Sequence, residues 1–128
     1  MSAPTQPTLT KEEKTALVGS FRQALQAAVS AHRHSVLVVS RFMFGGAGFY
    51  ADGVMFAAWY GGGDVHLKLA EADRTALLAQ YGSLDQKSQY VQLPRPLRDD
   101  PSQLAAWVAK SLAHLTTPKQ PKPKQKGR

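Results

Sequence analysis

Arg41-Phe42-Met43-Phe44-Gly45-Gly46-Ala47-Gly48-Phe49-Tyr50-Ala51-Asp52-Gly53-Val54-Met55-Phe56 is the stretch that decides the fold, because it sets strand-forming residues around glycines that ordinary strands avoid. Gly45, Gly46 and Gly48 lack a Cβ and permit a positive φ or a close backbone approach. Their clustering predicts a turn or bulge between two strands. A second reading makes them an anion-binding nest of backbone N–H groups, since Gly46 to Ala51 fits a loose G-x-G-x-x-A. A dinucleotide loop must open a helix, whereas here Asp52-Gly53, a two-residue hairpin signal, follows almost at once. The structural turn is therefore preferred to a ligand loop.

Working outward, Val36 to Val39 begins the strand that carries Arg41, and the strand around Phe49 to Ala51 pairs with Val54 to Tyr60 through the Asp52-Gly53 turn. After Gly61 to Asp64, inward Val65, Leu67 and Leu69 alternate with His66 and Lys68, which places those two on a wet face. Upstream, Thr10 and Glu13 form a T-x-x-E capping box, and Leu17, Val18, Phe21, Leu25, Ala28 and Val29 recur at helical spacing. A second helix is predicted over Glu71 to Tyr81, with Ala76, Leu77 and Tyr81 inward and Gly82 as its stop. Gln89 to Leu93 returns as a short strand ended by Pro94 and Pro96. Asp100 and Pro101 open a last helix whose stripe is Leu104, Trp107, Val108, Leu112 and Leu115.

The expected fold is α+β, an antiparallel sheet with helices packed on it in two layers, in the order α-β(3)-α-β(1-2)-α. Residues 1–9 are expected to form a flexible lead, 10–115 one domain, and 116–128 a disordered basic tail without apolar anchors. The net charge of +7 belongs mainly to that tail. Of the 16 Lys and Arg residues, Lys119, Lys122, Lys124, Lys126 and Arg128 lie in the last ten positions, which leaves 11 against 9 Asp and Glu, a balance of +2. Those five residues are the candidates for non-specific nucleic-acid contact.

The 128 residues include no cysteine, which removes disulfides, thiol catalysis and thiolate metal sites. With no basic and apolar leader and no run of transmembrane length, a cytoplasmic location and no membrane contact are expected. His32, His34, His66 and His114 do not fall at metal-ligand spacing, so no metal is expected. No nucleophile elbow or phosphate loop occurs, and Glu12-Glu13 and Asp99-Asp100 fit helix starts better than a catalytic pair. A non-enzymatic protein without a cofactor is expected; a small-molecule binder or an enzyme built on the glycine run and Arg41 is the least favoured class.

Arg41 would share one face with Leu37, Val39 and Met43, where a guanidinium needs either a partner such as Asp52 or a route to solvent. The structural pairing is preferred for Arg41, and a solvent-facing, partner-binding role for Lys68. The central strands carry rings on both faces, so some rings stay exposed unless a second subunit covers them, and a homodimer is a secondary expectation. No lysine or arginine is interleaved with those rings along the chain, which counts against base stacking.

The pattern R-x-M-F-G-G-x-G-x-Y, D-G-x-M-F and Leu67-Lys68 resembles the N-terminal domain of the TfoX/Sxy competence regulators. The residues that carry it are Arg41, Met43, Phe44, Gly45, Gly46, Gly48, Tyr50, Gly53, Met55, Phe56 and Lys68, with Tyr90 to Pro94 and Leu104 to Trp107 extending it. The resemblance implies a two-layer fold like that of secretion chaperones; the sequence departs from the family between Gly82 and Gln89, where a shorter segment makes a trimmed or lost strand the expectation. It also implies a protein partner in the transcription machinery, a cyclic-AMP-receptor-type activator in the case of competence genes. The full-length regulators carry a second domain where this sequence has its basic tail.

Overall fold

A computed structural model describes residues 10–32, 35–43 and 45–116. The expectations placed on residues 1–9, His34, Phe44 and the basic residues from Lys119 to Arg128 lie outside them. Helix α1 (Lys11–Ser30) starts as the sequence predicts: the Thr10 hydroxyl accepts from the Glu13 N–H at 3.0 Å and the Glu13 carboxylate accepts from the Thr10 N–H at 2.9 Å. Four strands follow, β1 (Val38–Met43), β2 (Gly46–Ala51), β3 (Val54–Trp59) and β4 (Val65–Lys68), then α2 (Glu71–Tyr81), β5 (Gln86–Lys87), β6 (Tyr90–Gln92), α3 (Arg95–Arg98) and α4 (Pro101–Thr116).

The strands form one antiparallel sheet in the order β1-β2-β3-β4-β6-β5. Four strands precede α2, one more than the α-β(3) order, the fourth being the alternating Val65 to Leu69 segment; it pairs back on β3 after the Gly61 to Asp64 turn, where Trp59 Nε1 donates to the Gly62 carbonyl. The strand after Gly82 survives as the two-residue β5. Pro94 and Pro96 do more than end β6: Pro94 caps α3 and Pro96 sits in its first turn. Asp100 Oδ1 accepts from the Ser102 and Gln103 N–H groups and caps α4.

The glycine run resolves into two structural tasks. β1 and β2 pair as far as Met43 and Gly46, so the chain reverses between those two residues, and Gly45 takes φ +80° there. At Gly46 the need is proximity: a Cβ would overlap the Trp59 carbonyl oxygen and lie 3.3 Å from Tyr60 Cα. Gly46 and Gly48 lie within β2, so the run forms strand rather than a ligand loop. Asp52 and Gly53 both adopt positive φ, 56° and 81°, as a type I′ hairpin requires.

Core packing separates the two faces of the sheet. Phe49, Ala57, Leu67 and Val91 stand opposite one another across four strands and are fully buried. They join Val18, Phe21, Leu25 and Val29 of α1 and Leu104, Val108 and Leu112 of α4 in one cluster. In α2, Leu77 is buried and Tyr81 partly so, while Ala76 is exposed, because an eleven-residue helix on the rim turns only a narrow stripe inward. Ser111 of α4 is fully buried, and its hydroxyl lies 2.7 Å from the Lys68 carbonyl and 3.3 Å from that of Phe56. At the open edge, Gln26 bonds the Val36 carbonyl and the Val38 N–H, so a side chain of α1 occupies part of the β1 backbone.

Candidate functional site

Among the described residues no helix layer covers the second face of the sheet, whose residues follow from strand register. Arg41, Gly48, Ala58, His66 and Gln92 stand opposite one another across five strands, and the next row brings Val39, Tyr50 and Met55 together. A bulge between Phe49 and Tyr50 makes this possible. It inserts Phe56, which is fully buried, so that Met55 and Ala58 face the same way with two buried residues between them.

Gly48 is the floor of this surface. A Cβ there would lie 2.8 Å from Met55 Sδ and 3.3 Å from both Met43 Cε and Tyr50 Cε1, so three side chains lie down over the glycine backbone. Met43, Gly46, Met55, Ala58 and Tyr60 line an apolar hollow of about 260 Å³. Tyr60 also borders a polar hollow of about 290 Å³ formed with Gly62, Gly63, Asp64, His66, Asp85, Lys87 and Gln92. A larger hollow of about 530 Å³ lies between α1 and α4, lined chiefly by alanines; its one cation, Arg98, is held by Asp64 and Asp99.

Arg41 does not find the carboxylate partner predicted for it. The row it shares with Leu37, Val39 and Met43 is the bare face, so its guanidinium is exposed and lies 5.7 Å over the Tyr50 ring, and no ion pair joins it to Asp52 among the described residues. Lys68 faces outward as predicted, half-buried, 5.9 Å over the Tyr90 ring, and Lys87 lies 5.2 Å over Tyr60. His66 was placed on a wet face and is instead only 6% exposed, because Tyr60 packs edge-on at 4.7 Å and Asp85 receives its Nε2 at 2.8 Å.

The electrostatics follow from this crowding. Burial lowers the His66 pKa below 6.5 even though Asp85 pulls the other way, and the bond from His66 holds the Asp85 carboxyl below its usual range. Burial, aided by neighbouring Tyr60 and Tyr50, pushes the Tyr90 hydroxyl up to about 12. Burial and then Asp85 raise Tyr60. At neutral pH the tyrosines are therefore neutral hydrogen-bonding rings. His66 Nε2 is engaged by Asp85 and Nδ1 is shut from solvent without a partner, so neither ring nitrogen is open to a substrate. Among the described residues no three His, Asp or Glu side chains converge as a metal site, and no helix is long and apolar enough to cross a membrane.

A family model described as the TfoX N-terminal domain matches residues 33–115. The chain belongs to the TfoX N-terminal domain family. The TfoX N-terminal domain match starts after α1, although α1 supplies Val18, Phe21, Leu25 and Val29 to the same core. Within this TfoX N-terminal domain, Arg41, Met43, Gly48, Tyr50, Met55 and Lys68 come together on the bare face. Gly45, Gly46, Gly53 and Phe56 serve the turns, the close approach and the core, and Phe44 lies outside the described residues. Tyr60, Lys87, Tyr90 and Asp85 belong to the surface but were missed by sequence reasoning. The alternation that placed His66 and Lys68 on the outer face was the one signal that pointed toward them. No curated protein matches this chain.

Proposed function

We propose that this chain is a non-enzymatic interaction module that docks a protein partner of the transcription machinery through the bare face of its sheet. The observation that carries this reading is the meeting of Arg41, Met43, Tyr50 and Met55 over Gly48, on a surface that the helix layer does not use. Tyrosine, methionine and arginine are the residue types enriched at the centres of protein interfaces. The thioethers of Met43 and Met55 adapt to an incoming side chain, and the apolar hollow beside them offers an anchor pocket. Val39, 43% exposed, extends the apolar surround. A second copy of the chain is the alternative occupant. It would also use the face, since Gln26 already bonds part of the β1 edge.

The test is site-specific photocrosslinking of the full chain in its native cells, with the crosslinker placed in turn at Val39, Tyr50 and Gln23. Adducts of one common protein from the first two positions, absent from the α1 position and lost in an Arg41→Ala variant that melts like the parent, are the expected result. Adducts formed equally from Gln23 would overturn it, and adducts of twice the chain mass would assign the face to a second copy.

A further inference from the structure

The bare face has a second half, and its chemistry differs from that of the methionine patch. Tyr60 and Tyr90 stand at its centre, each with a lysine ammonium over the ring, Lys87 at 5.2 Å and Lys68 at 5.9 Å. These cations are far from the aromatic run in sequence, yet the sheet brings them onto it: Lys87 pairs with Tyr90 across β5 and β6, and Lys68 pairs with Tyr90 across β4 and β6. The interleaving of rings and cations that is absent along the chain is therefore present in space.

We infer that this half of the face binds single-stranded nucleic acid, with a base stacked on Tyr60 in the polar hollow and the phosphates running past Lys87 and Lys68. This goes beyond the docking of a protein partner and shares with it only the fact that the face is bare. Four observations support it. Tyr60 is 42% exposed, enough to offer ring surface to a base. The hollow beside it, about 290 Å³, is edged by Gln92, Asp85 and the Gly62 and Gly63 carbonyls; these already bond Asp64, His66, Trp59 and Arg98, yet a carboxamide has a second N–H and each oxygen a second lone pair to turn to the rim of a base. The two carboxylates there are already engaged: Asp64 is ion-paired with Arg95 at 3.1 Å and Arg98 at 3.4 Å, and Asp85 accepts a hydrogen bond from the neutral His66 ring at 2.8 Å and lies 3.6 Å from the Lys87 ammonium. Lys87 is about half exposed on a flexible stem and can exchange the Tyr60 ring for a phosphate. A duplex buries its base faces in its own stack and cannot use the tyrosine.

The experiment measures fluorescence anisotropy of a labelled oligothymidine of about 12 nucleotides, a length that one small stacking platform covers, against the full chain. The same strand in duplex form serves as the comparison. The expected result is binding that favours the single strand, weakens about 5- to 150-fold in Tyr60→Ala as for the loss of one base–aromatic stack, and is retained in Tyr60→Phe. Lys87→Gln should also weaken it and flatten its salt dependence. Equal affinity for duplex and single strand, or binding indifferent to Tyr60→Ala, would assign the interaction to the basic C-terminal residues and overturn the inference. A full chain that leaves the oligonucleotide free, yet still crosslinks a protein through Val39 and Tyr50, would overturn it while leaving the docking role intact.

Discussion

Gly46→Ala and Gly48→Ala should behave in opposite ways although the residues stand two apart on one strand. At Gly46 the added methyl would overlap the Trp59 carbonyl oxygen, with Trp59 C at 3.1 Å and Tyr60 Cα at 3.3 Å. All three obstacles are backbone, so β3 itself must move, against Trp59 packing that is 1% exposed. Overpacking of this kind costs about 3 kcal/mol, and for a domain near this size that lowers the melting temperature by roughly 10–20 °C. At Gly48 the nearest obstacle is Met55 Sδ at 2.8 Å, then Met43 Cε and Tyr50 Cε1 at 3.3 Å, all of them ends of side chains. The methionines can swing aside, and alanine regains some of the chain entropy that glycine loses in a strand, so stability should change by about 1 kcal/mol or less. The same movement dismantles the patch, so crosslinking from Val39 should fall while the fold persists. Thermal melts followed by circular dichroism on the two variants and the parent decide the matter. A Gly46→Ala variant melting with the parent, or a Gly48→Ala variant falling as far as Gly46→Ala, would refute the distinction between backbone and side-chain obstacles.

Two further outcomes are expected. Ser111→Ala should lose roughly 1–2 kcal/mol in chemical denaturation, because a hydroxyl has one proton and the shorter 2.7 Å bond gives it to the Lys68 carbonyl, which would otherwise be left without it under α4; an unchanged midpoint would show that water replaces the bond. His66 is held neutral by burial, so its folded pKa lies below 6.5 and the unfolded chain takes up its proton first as pH falls. Stability contributed by the neutral ring is present above 6.5 and lost as pH drops from there through the folded value, so the parent's melting temperature should fall from pH 7 toward 5 while that of His66→Gln falls less; parallel profiles would argue against burial as the cause.

The elements were legible in the sequence wherever the signal is local. Thr10 and Glu13 cap α1 because a capping box needs only three residues of spacing, and Asp52-Gly53 makes its hairpin because two positive φ values suit those two residues. Alternation assigned Val65, Leu67 and Leu69 to the core for the same reason: the period of a strand is written in consecutive side chains. What the sequence could not show is which face the helices would leave bare. Arg41 looked like a cation in an apolar row that required a carboxylate, and only the packing of α1 and α4 on the opposite side turned that row toward solvent and its guanidinium onto Tyr50. The bulge at Phe49 and Tyr50, which shifts Met55 onto the face, depends on how β2 and β3 pair and has no residue signature of its own. Lys87, Tyr90 and Lys68 come together because β6 pairs with β4 across an intervening helix, a contact set by the burial of Val91 against Leu67. Local chemistry thus determined the strands, turns and helix ends from the chain alone, whereas the site arose from register and layering, which are fixed only when every apolar face has found its cover.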